Sequence, residues 1–270
     1  LPTDTPLPPT PTPPPTPTAI STDVITKIDA ILDNYARQNI FSGSVLISQQ
    51  GTVLLSQGYG LADRDNNIPN SPQTRYRIAS ISKQFTAMGI LILQSQGKLD
   101  VQDPLCQYFD KCPVAWEAIT LEHLLTMSMA LDWGADEAES LHGAGPSAFR
   151  TILARKVSGR PGADWAYVSM NVNLLAGVLR QATGEHADAL ARRVLFEPLG
   201  ITNWDWEWGK EEGYPLMDGS LRLTPRAMAR IGVMVAGGGA WGEKRVVDEA
   251  WIRESLRPRL RAGQAAEELV

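Results

Sequence analysis

The sequence predicts a mixed α/β (α+β) fold, with one antiparallel hairpin near its start followed by many helices. Three observations carry this. GSVLISQQGTVLLSQGYG is two β-rich runs around a QQG turn. Most later segments repeat apolar residues at helical spacing. The composition, 43% hydrophobic and 20% charged over 270 residues, is that of a globular chain long enough for one large domain or two lobes.

The first 18 residues, LPTDTPLPPTPTPPPTPT, hold nine prolines and six threonines. They cannot build a core, so residues 1–20 are expected to be an extended, polyproline-like linker ahead of a domain spanning 21–270. Such spacers often follow an export signal or lipid anchor. The expected location is therefore extracytoplasmic, with the linker as a tether to a membrane or cell wall. STDVITKIDAILDNYARQ places Val24, Ile28, Ile31, Leu32 and Tyr35 on one helical face, capped by Ser21 or Thr22. The hairpin 44–57 follows, then NNIPNSPQT as a loop. A helix opens at Ser80 and ends near Gly97. ITLEHLLTM and PSAFRTILARK read as short helices, and RPGADWAY as a turn into the helix MNVNLLAGVLRQATG with Gly184 as C-cap. ALARRVLFEPLGI ends in a turn, LTPRAMARIGVMVAGG is a helix with Pro225 in its first turn, and VDEAWIRESLRP is the last helix. Beyond the hairpin nothing strand-like stands out, although two strands alone are marginal in water.

Several function classes are disfavoured. Net charge is −5, whereas a nucleic-acid binder is usually basic. No apolar run reaches the roughly 18 residues of a membrane helix. Gly237, Gly239 and Gly242 fit G-x-G-x-x-G but follow a helix, so they read as a flexible turn rather than a dinucleotide loop. His123, His142 and His186 are far apart and read as surface or capping groups, and no metal or organic cofactor is expected. Cys106 and Cys112, in LCQYFDKCP, are expected to form a disulfide worth about 2 kcal/mol of loop-closure entropy in an oxidising compartment. NWDWEWG alternates Trp204, Trp206 and Trp208, as an exposed strand or a loop folding over a cleft, where it could form an aromatic substrate wall.

The chemistry concentrates in RIASISKQF. Ser80 and Lys83 lie three residues apart at the head of a helix, so their side chains share a face. A serine hydroxyl needs a base to become a nucleophile, and a desolvated lysine can serve. The helix N-terminus favours the negative charge that develops on an attacked carbonyl. The spacing alone is weak, since Ser95 and Lys98 fit it too, and a solvent-facing lysine would explain it as well.

Context strengthens it. GSVLISQQGTVLLSQGYGLADRDNNIPNSPQTRYRIASISKQFTA, GKLDVQDPLCQYFDKCPVAWEAITLEHLLTM, PGADWAYVSMNVNLLAGVLRQATGE and FEPLGI together resemble the serine β-lactamase-like hydrolases, a superfamily of class C β-lactamases, DD-peptidases and related esterases. The resemblance runs from about residue 24 to 256. It implies a two-lobed fold, an antiparallel sheet lobe from 22–75 and 222–270 with a helical lobe from 76–221, and the site between them. It implies Ser80 as the acylated nucleophile and Lys83 as its proton partner. The family's second motif, Y-x-N or S-x-N, is matched by Tyr167-Val168-Ser169, so Tyr167 would share protons with Ser80 and Lys83. Ser169 would contact substrate with a hydroxyl where an amide normally sits, which disfavours β-lactam binding more than ester cleavage. The Y-x-S variant resembles the branch containing nylon-oligomer amidases and esterases. LLTMSMALDW replaces the usual LLTHTSGL, with Met127 for His and Met129-Ala130 for Ser-Gly, and reads as a helix end near the cleft.

The family's third motif, K-T-G or H-x-G on a late strand, has no match in the closing RPRLRAGQAAEELV. The sequence therefore reads as truncated at its C-terminus, with late sheet strands missing and its start lacking too. On that reading the hairpin would keep an unpaired edge and catalysis would be weak, because one oxyanion donor is worth about 10²–10³ in rate. The expected activity is ester or amide hydrolysis of a small-molecule or peptide-like substrate through a serine acyl-enzyme, with no nucleic-acid partner. The alternative is a non-catalytic, penicillin-recognition-like binding or sensor domain.

Overall fold

The computed structural model describes residues 19–131, 145–163, 165–209 and 213–260. Most of the Pro/Thr-rich linker, His142 and the closing segment after residue 260 lie outside the described residues. The chain divides into two compact units, Leu1–Ser71 and Pro72–Val270.

In the first unit, Ser21 caps helix α1 (Thr22–Arg37) by accepting from the Val24 N–H. Strands β1 (Gly43–Gln49) and β2 (Thr52–Tyr59) pair antiparallel from Gln49↔Thr52 to Gly43↔Tyr59. The two-residue turn between them, Gln50-Gly51, has positive φ at both positions (50° and 81°), the twist that suits a tight hairpin. Two shorter strands, β3 (Leu61–Asp63) and β4 (Ile68–Pro69), pair within the stretch expected to be loop. Among the described residues β1 and β2 form a sheet of two, as the hairpin reading anticipates. Helix α1 packs on β2, where Tyr59 donates to the Asp29 carboxylate at 2.6 Å. None of its residues is fully buried, and Ile31 remains 53% exposed.

The second unit opens with β5 (Tyr76–Arg77) and a single 3₁₀ turn, Ala79–Ile81, that runs into α2 (Ser82–Ser95). Helix α2 is apolar nearly all round because it is central. Phe85, Met88, Ile90, Leu91, Ile92 and Leu93 are all buried, each contributing about 1.5–3 kcal/mol. Helix α3 (Leu121–Leu125) starts at a box in which the Thr120 N–H donates to His123 Nδ1, so His123 is a capping group. Then come α4 (Pro146–Leu153), α5 (Met170–Thr183) and α6 (Ala187–Ala191), with Gly184 closing α5 in the left-handed conformation (φ 73°). Helices α5 and α6 pack on α2, and Trp116, Leu174 and Phe196 are among the fully buried side chains.

Strands β6 (Trp204–Trp206) and β7 (Leu221–Leu223) then join β5 in a sheet ordered β5-β7-β6. Helix α7 (Pro225–Ala236) begins at Thr224, strands β8 (Ala240–Trp241) and β9 (Lys244–Arg245) form a small hairpin, and α8 (Glu249–Ser255) follows. These strands correct the expectation of none beyond the first hairpin. Each spans only two or three residues, and their signal is a bare alternation. In LRL, Leu221 and Leu223 are fully buried while Arg222 turns outward to Asp205 (2.6 Å) and Glu207 (3.3 Å). Of the three tryptophans, Trp204 and Trp206 belong to this sheet, the strand alternative of the sequence reading, while Trp208 lies beyond it in an isolated bridge to Pro215. Trp206 is buried and donates to the Leu216 carbonyl, and Trp204 packs on Phe196 with ring centroids 4.8 Å apart.

Cys106 and Cys112 are joined by a disulfide. The loop it closes inserts Phe109 beside α5, where Gly177 leaves room: a Cβ there would lie 2.9 Å from Phe109 and 3.0 Å from Phe149. From Phe109 the rings continue through Phe149, Tyr214 and His186 to Trp208, each pair 5.0 to 5.5 Å apart.

Candidate active site

Strand β5, held by β7, delivers the nucleophile. The pairs Tyr76↔Leu223 and Arg77↔Arg222, and the bond from the Ile78 N–H to the Leu221 carbonyl, carry the chain to Ala79. There it turns through φ 46°, a left-handed conformation that costs a non-glycine residue about 1–2 kcal/mol. Ser80 stands exposed in the turn just ahead of α2, so the positive end of the helix lies next to it.

Lys83 is half-buried and curls back rather than reaching for solvent. Its ammonium donates to Ser80 Oγ at 3.1 Å and to the Asp218 carbonyl at 2.6 Å. It also sits 5.2 Å from the centre of the Tyr167 ring. Tyr167 arrives from a different segment, and its hydroxyl donates to Ser80 Oγ at 2.6 Å. The three side chains that the sequence singles out therefore meet at one oxygen.

The LLTMSMALDW segment positions Tyr167. After α3 the chain passes Met127 (φ 56°) and Ala130 (φ 59°), both left-handed, with Ser128 buried between them. The Met127 carbonyl accepts from the Ala166 N–H at 3.0 Å, and the Ser128 carbonyl from the Gly162 N–H at 2.8 Å. This stretch is a helix end, as read, and it is also the ledge on which the tyrosine segment rests.

Burial alone would raise the Tyr167 pKa. Hydrogen bonding with Ser80 and Lys83, the positive charge of Lys83 and hydrogen bonding with Ser169 together outweigh it and hold the phenol below the usual tyrosine range. Ser169 stands just ahead of α5, so its hydroxyl tunes the phenol. The arrangement can accept a proton from Ser80 and stabilise the resulting oxygen, which is what nucleophilic acyl transfer requires.

The sequence reading missed Asp218. Its contribution is a main-chain carbonyl, which no residue type announces; the only signal was a turn-like MDGS between two alternating runs. Of the tryptophans set over a cleft, Trp208 pairs with His186 and donates to the Asp188 carboxylate at 3.2 Å, and none has a described bond to Ser80, Lys83 or Tyr167.

With this geometry in hand, the comparisons place the chain. A family model described as Beta-lactamase matches residues 26–270, so the chain belongs to the β-lactamase family. PbpX of Bacillus subtilis (strain 168), which is named as a penicillin-binding protein, is 29% identical over 204 residues, covering 72% of this chain and 50% of that protein. This chain thus spans about half the length of that relative. Two solved structures share the fold. The octameric penicillin-binding protein homologue from Pyrococcus abyssi superimposes with a TM-score of 0.71 at 21% identity, covering 90% of this chain and 62% of that one. The penicillin binding protein from Bacillus halodurans gives 0.70 at 21% identity, covering 86% and 79%. The fold is the β-lactamase and penicillin-binding-protein arrangement that the resemblance implied.

Proposed function

We propose that the chain is a serine hydrolase that cleaves ester or amide bonds of small-molecule or peptide-like substrates through an acyl-enzyme on Ser80. One observation carries the reading: Ser80 Oγ lies within 2.6 Å of the Tyr167 hydroxyl and 3.1 Å of the Lys83 ammonium. Ser80 Oγ attacks the carbonyl carbon while its proton passes to the Tyr167–Lys83 pair. The bond from that carbon to the leaving oxygen or nitrogen then breaks, and the same pair protonates the leaving group. Water attacks the acyl carbon in a second round and restores Ser80. Family membership and the naming of PbpX support an acylated serine.

The test is to incubate the chain with a fluorescent penicillin and with a p-nitrophenyl ester, and to read intact mass and p-nitrophenolate release. A covalent adduct on Ser80 with continuing release, both absent in Ser80→Ala, is the expected result. Absence of any adduct with activated acyl donors overturns the reading. Adduct without turnover supports the binding or sensor alternative instead. The Pro/Thr-rich linker and the Cys106–Cys112 disulfide support an extracytoplasmic setting, which cell fractionation and protease shaving of intact cells would test.

A further inference from the structure

The bond from Lys83 to the Asp218 carbonyl is shorter than the one to Ser80, so the placement of the amine depends on a segment 135 residues away in the chain. That segment, Met217–Leu221, is stitched to the start of α2 at several points. The Leu221 N–H donates to Ser82 Oγ at 3.3 Å, and the Arg77 guanidinium donates to the Gly219 carbonyl at 3.2 Å. Gly219 lies close against Ala79, where a Cβ would sit 3.7 Å from the Ala79 carbonyl carbon. Thr86, one turn beyond Lys83 along α2, donates its hydroxyl to the Met217 carbonyl at 3.3 Å.

Thr86 and Ser82 are both fully buried, on a helix whose other buried residues are apolar apart from these two hydroxyls. A hydroxyl taken out of water carries a cost unless it is hydrogen-bonded. The Thr86 hydroxyl is bonded to the carbonyl immediately before the one that holds Lys83. Two successive carbonyls of one strap thus meet two side chains of one helix, three residues apart. Fixing the first fixes the plane of the peptide that enters Asp218, so only the φ and ψ of Asp218 separate it from the second carbonyl, and the bonds to Gly219 and Leu221 hold the strap on the far side.

We propose that Thr86 is a positioning residue for Lys83: by holding the Met217 carbonyl it aims the Asp218 carbonyl at the ammonium and so sets the amine against Ser80. The inference rests on the acylation reading above for its consequence in rate, but the placement of Lys83 can be read without it. In Thr86→Val the shape is kept and the bond is lost. A misplacement of the amine on the ångström scale lowers a positioned reaction by on the order of 10- to 100-fold.

The experiment uses the full 270-residue chain and two readouts. One is the rate of Ser80 acylation by p-nitrophenyl acetate across pH. The other is the rate at which acetic anhydride labels Lys83, measured peptide by peptide. The expected result is slower acylation with an altered pH profile in T86V, together with faster labelling of the released Lys83, and values within about twofold of wild type in T86S, since hydroxyl bonding is retained there. If T86V fails to fold, T86A is carried through the same comparison. A folded variant lacking the hydroxyl that shows wild-type acylation and wild-type Lys83 labelling overturns the proposal, even if its melting temperature drops. If wild-type Ser80 is never acylated while Lys83 labelling still rises in T86V, the acyl-enzyme reading fails and the positioning role stands.

Discussion

Lys83 sits between two oxygens of different kinds, the Ser80 hydroxyl at 3.1 Å and the Asp218 main-chain carbonyl at 2.6 Å. The carbonyl cannot exchange a proton, so it serves as an anchor, while the hydroxyl is the group that can react. An amine is needed in this role because it can take up and return a proton, whereas a guanidinium stays charged and is longer. Lys83→Arg should therefore keep the local charge yet lower the rate of Ser80 acylation by about 10²–10⁴-fold, the usual worth of a positioned acid–base group. Intact-mass kinetics with an activated ester would measure it; acylation at the wild-type rate would count against Lys83 as the proton partner.

Tyr167 makes a prediction about pH. Its phenol is held below the ordinary tyrosine value, so the phenolate fraction grows as pH rises and reaches its half-point below about 10. Acylation in the wild type should rise with pH over that range, and Tyr167→Phe should be slower and lose the rise. A depressed pKa also adds stability that is complete above the unfolded value near 10 and fades as pH falls through the folded value. The stability gap between wild type and Tyr167→Phe should widen toward pH 10 in denaturant titrations. A gap that narrows would contradict the assigned direction.

Ala130 holds φ 59° on the ledge beneath the Tyr167 segment. A left-handed alanine costs about 1–2 kcal/mol, and glycine would relieve that while losing some backbone entropy on folding. Ala130→Gly should gain about 0.5 kcal/mol net. Ala130→Val should lose more than 1 kcal/mol, since a branched side chain fits this region worst. Urea melts of the two variants check the order; a stabilised valine variant would refute it.

Gly177 is a tighter constraint. The Cβ of an alanine would press on Phe109 and Phe149 at 2.9 and 3.0 Å, inside a helix where alanine is otherwise the better residue. Gly177→Ala should destabilise the chain by about 1–3 kcal/mol through overpacking, despite its gain in helix propensity. A thermal melt at or above the wild-type value would mean that Phe109 moves aside freely.

Much of this was legible in the sequence because it is written in residue types. Ser80 and Lys83 stand out through their spacing once the surrounding segments show the family resemblance, Gly184 through its need for positive φ, Pro225 by its place in a first turn, and Tyr167 through the resemblance's second motif. What escaped has no such signature. The Asp218 anchor is a carbonyl shared by every residue type. The β5-β7-β6 sheet is stabilised by partners far apart in the chain, so runs as short as YR and LRL hold too little alternation to be recognised locally. Met127 and Ala130 read as the end of a helix, and only the fold reveals that their left-handed turns support the tyrosine.

The line of rings from Phe109 to Trp208 has an optical consequence. Aromatic groups this near one another and fixed in asymmetric surroundings should produce circular dichroism in the near ultraviolet, a signal that vanishes when side chains lose their fixed places even if helices survive. Because Phe109 lies within the disulfide loop and Trp208 lies two residues past β6, one spectrum would follow the order of both places at once. Loosening at either end should dim it before the far-ultraviolet bands change.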